Sequence, residues 1–467
     1  MQDHFFSNFT LEENTEYFLY IGELKNYGIN LFLRDALSRI FNRRFEFISI
    51  VPDVFEQYNY DNLIVINPNI NSLACLYGPN VSCRVSAGDF LKAVSESNKV
   101  HALIQRLLNR QQNVYIYMYE SLPEMTLDTI PGVNILGPDR QVSHQVNSKL
   151  FQYRELQELL PLAEFKICHG LEELQRFADS SWSLWQDGLF VTREYSAAGV
   201  NSIVARDWET IRCKFVGQDE TYLVSRYIPH TSDPTVIAVV ASEDDIFIAG
   251  VADQNIVGGN RFTGSTFPTR LPDGIVAELR RQTVVAGQWL ARQGYRGIFG
   301  CDFLVDDNQQ VFFLEINARK QGTTLEFCCT MEQSLPPGTP NLPELEFYAV
   351  EKSILPLNSM EMRGNPKQLY WGTFNYKLDR MVRTNGYIPQ SNQERDAFRR
   401  VASGNLKKDF LILEHSGSDF VIANGAFLAR IVALGHDHES VQQGLIQATK
   451  TIELTIAEIM EEDHASG

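Results

Sequence analysis

The stretch Gly300-Cys301-Asp302-Phe303-Leu304-Val305, resumed after residues 306–310 as Val311-Phe312-Phe313-Leu314-Glu315-Ile316-Asn317-Ala318-Arg319, decides how the rest of this chain is read. Two apolar runs around a polar turn predict a hairpin centred between Asn308 and Gln309, with Asp302 directly opposite Glu315. Side chains alternate along a strand. Asn317 therefore shares that face, opposite Gly300, which leaves it room. Cys301, Phe303, Val305, Phe312, Leu314 and Ile316 fall on the other face, which predicts core. One face thus collects two carboxylates and an amide. Hard oxygen donors grouped in this way suit magnesium, which typically keeps phosphate oxygens in its shell.

The string Arg296-Gly297-Ile298-Phe299-Gly300-Cys301-Asp302-Phe303, with Leu314-Glu315-Ile316-Asn317-Ala318-Arg319 after it, resembles the metal-binding end of ATP-grasp ligases. The resemblance implies that Asp302, Glu315 and Asn317 hold magnesium ions that bridge the phosphates of ATP. A merely solvated acidic hairpin is the plainer alternative. The cross-strand placement of the acids, with Arg319 directly behind them, favours the functional reading.

The same resemblance implies the other pieces of a nucleotide site. Lys149 stands in a helix between Gly137-Pro138 and Leu160-Pro161, where the family has its first phosphate-contacting lysine, a point donor to phosphate charge. Arg193 ends a strand at the place of the family's second lysine; arginine can hold phosphate through two hydrogen bonds. Ser196-Ala197-Ala198-Gly199 corresponds to the flap, whose small residues let backbone N–H groups approach phosphate, so Ser196 and Gly199 are expected contacts. Val224-Ser225-Arg226-Tyr227-Ile228 resembles the hinge that reads the adenine edge. It lacks the glutamate common there, so recognition is expected through the main chain of Arg226, Tyr227 and Ile228. Asp233 is either a ribose contact or a turn former before Pro234.

Asp253-Gln254 and Gly264-Ser265-Thr266-Phe267-Pro268, flanked by Arg261 and Arg270, are similar to loops of ATP-grasp peptide and amino-acid ligases, either lining the acceptor side or purely structural. Arg319 is expected to hold a carboxylate or acyl phosphate. Arg319, Arg193 and Arg261 make up the expected catalytic set. His436 and His438 form an HxH that reads as a turn before the last helix rather than a metal site.

Composition bounds the remaining possibilities. The chain has 467 residues, 44% hydrophobic and 11% aromatic, which are globular proportions spread over more than one core. A net charge of −17 argues against a general nucleic-acid or anionic-membrane surface. The seven cysteines are odd in number and without CxxC, which predicts reduced core thiols. Residues 1–16 carry acids and no apolar run, unlike a signal peptide. No segment has the apolar length of a membrane span. A cytoplasmic protein is the expectation.

Along the chain, strands at 17–21, 45–51, 62–66, 113–118 and 133–136 alternate with helices at 30–41 and 99–110, a βαβ rhythm that predicts an open, mostly parallel sheet. A helix over 142–160 follows, then strands at 188–192, 202–205, 222–226, 235–241 and 246–251, and a helix at 272–293. The proline-rich stretch 334–343 is a boundary candidate. Beyond it, strands at 410–414, 420–423 and 427–434 predict an antiparallel meander, and 439–461 a final helix. The expected class is a multidomain α/β protein. Residues 1–140 form an open parallel sheet, 141–345 an ATP-grasp domain, and 346–467 a small β-rich domain.

The chemistry the resemblance implies is carboxylate activation: an acyl phosphate forms at the expense of ATP, and an amine displaces phosphate. The expected cofactors are ATP and Mg2+, and the partners are small carboxylates and amines such as amino acids or short peptides. Many family members are homodimers. A bicarbonate-using carboxylase and an ATP-binding regulator without turnover are the alternatives.

Overall fold

The structure is a computed structural model that describes residues 6–70, 85–196, 201–215, 220–362, 364–389, 393–422 and 424–458. It divides into two compact units, residues 1–140 with 322–467, and residues 141–321.

In the first unit, strands β1 (Phe6–Asn8), β2 (Glu16–Ile21), β3 (Phe45–Val51), β4 (Leu63–Val65), β5 (Val114–Met118) and β6 (Val133–Leu136) form a sheet of order β1-β4-β3-β2-β5-β6. It is parallel from β4 to β6, and β1 is antiparallel. Strands β2 and β3 are buried on both faces, which explains their nearly unbroken apolar sequence. Ser86 and Ser97 start successive helices, Ala87–Glu96 and Asn98–Leu108, by accepting from the N–H groups of Asp89 and Val100.

Residues 322–467 add helices Thr324–Ser334, Leu342–Lys352, Glu394–Ala402 and His438–Glu453. The proline-rich stretch 334–343 joins the first two of these. The expected meander does not form. Against the later strands β16 (Tyr370–Lys377), β17 (Val382–Thr384), β18 (Asp409–Leu413), β19 (Val421–Ile422), β20 (Phe427–Gly435) and β21 (Ile456–Glu458), the pairings are β16-β20-β18 and β19-β17-β21. Glu414 and Asp419 both take positive φ and carry the chain out of β18's line, so β19 joins a different sheet. The final helix ends at Glu453, short of the expected 461, and the chain turns into β21.

In the second unit, β7 (Phe165–His169), β8 (Leu189–Arg193), β9 (Ser202–Ala205) and β10 (Thr221–Arg226) form an antiparallel sheet of order β7-β10-β8-β9. Strands β11 (Asp233–Ser242), β12 (Asp245–Val257), β13 (Arg261–Phe267), β14 (Gly297–Val305) and β15 (Val311–Asn317) pair antiparallel in the order β15-β14-β11-β12-β13. The segment expected as a loop around 261–270 is thus mostly strand. Helix Asp273–Arg292 covers one face, and its Trp289 and Leu290 share a core with Phe299, Phe303 and Phe313 of the sheet.

Candidate active site

Asp302 sits within β14, and four side chains converge on its carboxylate. Oδ1 accepts from Thr235 Oγ1 at 2.7 Å, Gln254 Nε2 at 2.8 Å and Gln321 Nε2 at 3.3 Å; Oδ2 accepts from Asn317 Nδ2 at 2.9 Å. Burial raises its pKa above the ordinary carboxylate value, while the Thr235 hydroxyl, Arg319, Asn317 and Lys149 pull it back. Asp302 lies opposite Glu315, and Gly300 opposite Asn317, in the expected register.

Glu315 is ion-paired to Lys149. The expected helix over 142–160 is broken, and the break is what delivers the lysine. Asn147 leaves the helix to accept the Ala318 N–H at 2.8 Å, and Ser148 caps a new helix, Lys149–Leu156, by accepting the Phe151 N–H at 3.1 Å. Lys149 is therefore the first residue of that helix. Burial lowers its pKa to about 8, with Asp302 opposing the shift and Arg319 adding to it. Arg319 Nη2 donates to Asn317 Oδ1 at 2.9 Å, so the third expected ligand also lies in this network.

Two details of the hairpin differ from expectation. A Cβ on Gly300 would run into the Gln321 side chain, so the glycine makes room for Gln321 rather than for Asn317. A β-bulge beyond Asp302 changes the register towards the turn, where Phe303 faces Phe313, Leu304 faces Phe312 and Val305 faces Val311. Phe312 and Leu314, expected in the core face, instead pack with Leu304, Ile228 and Ala163. One extra residue in a strand moves the side chains beyond it to the other face. Leu304 and Asp302, two residues apart on one strand, share a face. A carboxylate end therefore passes into an apolar wall that ends at Ile228 in the hinge.

The hinge begins at Arg226, the last residue of β10, and continues through Tyr227 and Ile228. The Arg226 N–H donates to Glu164 O at 2.9 Å and the Tyr227 N–H to Gly188 O at 3.0 Å, while Ile228 O receives His230 Nδ1 at 2.7 Å. The Arg226 guanidinium pairs with Glu164 at 2.5 Å. A cavity of about 290 Å³ opens here, lined by Arg226, Ile228, Pro229, Phe312 and residues of the hairpin turn. Asp233 pairs with His230 Nε2 at 3.0 Å.

Arg193 ends β8, as expected, and meets Glu220 at 2.5 Å; its Nε is buried without a hydrogen-bond partner. Ser196 Oγ lies 3.0 Å from Thr192 Oγ1. Gly199, Ala197 and Ala198 lie outside the described residues. Arg261 is exposed at the start of β13, next to the Gly258-Gly259-Asn260 turn, and is not drawn into the Asp302 network. Asp253 holds the following segment, accepting from Thr269 Oγ1 at 2.5 Å and Arg270 N at 3.0 Å. Its neighbour Gln254 points to Asp302 instead. Thr235 and Gln321 are site residues that no motif announced, and Gln254 stood in the Asp253-Gln254 motif without a role at Asp302; alternation along β11 and β12 is the one signal that could have placed Thr235 and Gln254 here. Asp437 caps the last helix, the role expected of the turn around His436 and His438. Cys168, Cys301, Cys328 and Cys329 are buried free thiols, and Cys213 is exposed.

The donor set fits a hard cation. Two carboxylates and an amide lie across two strands, and the Lys149 ammonium already places positive charge on Glu315.

Residues 146–323 match the ATP-grasp domain family. A curated relative, the [butirosin acyl-carrier protein]–L-glutamate ligase of Niallia circulans, is 24% identical over 211 residues, covering 44% of this chain and 50% of that protein. The match thus spans about half the length of that relative. Among solved structures, the biotin carboxylase–β,γ-ATP complex from Campylobacter jejuni aligns with a TM-score of 0.59 at 14% identity, over 96% of this chain and 92% of that one. An ADP complex of N5-carboxyaminoimidazole ribonucleotide synthetase aligns at 0.56 with 12% identity, over 96% and 100%. These likenesses establish the fold.

Proposed function

We propose, on the premise that residues 146–323 are an ATP-grasp domain, that this chain is an ATP-dependent carboxylate–amine ligase. The substrate carboxylate attacks the γ-phosphate, ADP leaves, and the resulting acyl phosphate is attacked by an amine with release of phosphate. The observation that carries this reading is the cross-strand set Asp302, Glu315 and Asn317 with Lys149 on Glu315. Magnesium held by Asp302, Glu315 and Asn317 would neutralise charge on the phosphates. Phosphoryl transfer needs positioning and charge neutralisation more than a protein nucleophile.

The chain's own groups have separate tasks in this reading. Lys149, drawn from Glu315, donates to phosphate, and Arg193 offers its buried Nε. The N–H groups of Arg226 and Tyr227 are committed to Glu164 and Gly188, so the Arg226 carbonyl and the Ile228 N–H are the hinge groups assigned to the adenine edge. Leu304, Phe312 and Leu314 supply an apolar floor beside them. Arg319 holds the substrate carboxylate.

The curated relative is named for joining L-glutamate to an acyl carrier protein, which supports a second reading of the acceptor, a carrier protein in place of a small amine. The test is ADP release from magnesium-ATP with a panel of carboxylates, L-glutamate first, and hydroxylamine as acceptor. Hydroxamate with one carboxylate is the expected result. ADP release only with bicarbonate would replace the ligase by a carboxylase. ATP binding without turnover would leave a regulator.

A further inference from the structure

The helix break at Asn147-Ser148 is held from two sides within the second unit. Towards β15 the tie is Gln152, which is fully buried. Its Nε2 donates to Val146 O and Ile316 O, each at 2.8 Å, and its Oε1 accepts the Ile316 N–H at 2.7 Å. Ile316 stands between Glu315 and Asn317, so these bonds, with that of Asn147 to the Ala318 N–H, fasten helix Lys149–Leu156 to the hairpin. The other side is held by the residue that follows Arg193.

Glu194 meets the break with both its backbone and its side chain. Its carbonyl accepts the Lys149 N–H at 3.2 Å, and its Oε1 accepts from Ser148 Oγ at 2.5 Å. The Ser148 proton therefore points at Glu194, and a lone pair of the same hydroxyl is left to accept the Phe151 N–H. A carboxylate acceptor makes such a bond shorter and stronger than a neutral one. The next residue, Tyr195, stacks on His144 in the helix that ends at Val146, with ring centres 4.7 Å apart and planes 10° from parallel. Residues 194 and 195 thus clasp the chain on both sides of the break.

This clasp joins the two elements that carry the cations assigned to phosphate. Arg193 closes β8, where its N–H donates to Asn201 O at 3.2 Å, and Lys149 opens its helix. The carbonyl of the residue directly after Arg193 receives the Lys149 N–H. Two like charges do not hold each other in place, so their spacing is imposed by the backbones that carry them. A displacement of about 1 Å in such a pair is enough to spoil the grip on a ligand.

We propose that Glu194 is a positioning residue which, acting through Ser148, sets Lys149 and Arg193 in one register for the phosphates of ATP; this rests on the nucleotide site proposed above. The test is calorimetric titration of the full chain with magnesium-ATP and, separately, with adenosine, which has no phosphate for the two cations to hold. E194A is expected to weaken magnesium-ATP about tenfold and to leave adenosine within about twofold. E194Q keeps an oxygen acceptor at the same reach without the charge, and should stay within about threefold of the parent for both. E194D keeps the charge on a side chain one methylene shorter; it should repeat the E194A pattern, and serves if E194A does not fold. The loss in the S148A/E194A double variant should equal that of the weaker single variant, as expected of two residues acting as a unit. Unchanged or tighter magnesium-ATP binding in E194A, an equal loss for adenosine, an equal loss in E194Q, or additive losses in the double variant would each overturn the role. Hydroxamate formation by the parent separates the two ideas. Its absence with the E194A loss present would sink the ligase alone, and its presence with E194A affinity unchanged would sink the role of Glu194 alone.

Discussion

Glu315 is the residue on which most of the proposed chemistry turns, because it faces Asp302 across the hairpin and carries the Lys149 ammonium. E315Q keeps the shape and removes the charge. It should lower ADP formation at least about a hundredfold with no loss of melting temperature; normal turnover would remove Glu315 from the site. Gly300 is a second position at which one atom decides. In G300A the new Cβ meets the Gln321 side chain, whose amide contacts Asp302. Overpacking of this kind costs about 1–3 kcal/mol, so both stability and activity should fall. G322A is the control, because a Cβ there meets open space, and its stability should stay within about 0.5 kcal/mol of the parent. Equal melting curves for the two variants would refute the role given to Gly300.

At the scale of elements, the start of helix Lys149–Leu156 fixes where the lysine stands. Ser148 Oγ caps the Phe151 N–H and also bonds Glu194 at 2.5 Å. S148A should cost about 1 kcal/mol and raise KM for ATP more than it lowers stability, as steady-state kinetics beside a denaturant titration would show. An unchanged KM would mean that Lys149 is positioned by its partner and not by its helix. Neither the break at Asn147-Ser148 nor the bulge in the metal hairpin was legible in the sequence. Asn147 leaves its helix to meet the Ala318 N–H, a partner 171 positions away. The bulge leaves the run Val311-Phe312-Phe313-Leu314 apolar in either register, so composition cannot locate the extra residue. What alternation did show was the far end of the hairpin, where Gly300, Asp302, Glu315 and Asn317 keep the predicted pairing.

For the whole molecule, the joining of residues 1–140 and 322–467 in one unit places ionisable groups in a shared interior. His415 is fully buried; its Nδ1 accepts the Gly417 N–H at 3.2 Å and its Nε2 faces Thr455 Oγ1 at 2.8 Å, the arrangement of a neutral ring. Burial lowers its pKa to about 4, with Glu56 opposing the shift. The unfolded chain therefore takes up a proton first. The stability contributed by the neutral ring is complete above about pH 6.5 and is lost progressively as pH falls towards 4, by up to about 3 kcal/mol. H415N should flatten this part of the stability–pH curve, and an unaltered slope would show that other groups set it. Arg430 is the other large buried contributor. R430M strands Glu326 and Glu394 and should cost about 3–5 kcal/mol by chemical denaturation; a loss below 1 kcal/mol would mean that the two acids fold protonated.

By itself the sequence determined the parallel sheet, the hairpin that pairs Asp302 with Glu315, and the positions of Arg193 and Arg226 at the ends of their strands. These follow from hydrophobic period, turn chemistry and local spacing, which act between near neighbours in the chain. Only the tertiary structure decided that Thr235, Gln254 and Gln321 converge on Asp302, that Phe312 and Leu314 turn towards Ile228, and that Arg430 pairs with Glu326 and Glu394. Each of these joins residues far apart in sequence. Such contacts are fixed by which buried surfaces and charges must be satisfied together, and no local pattern records that.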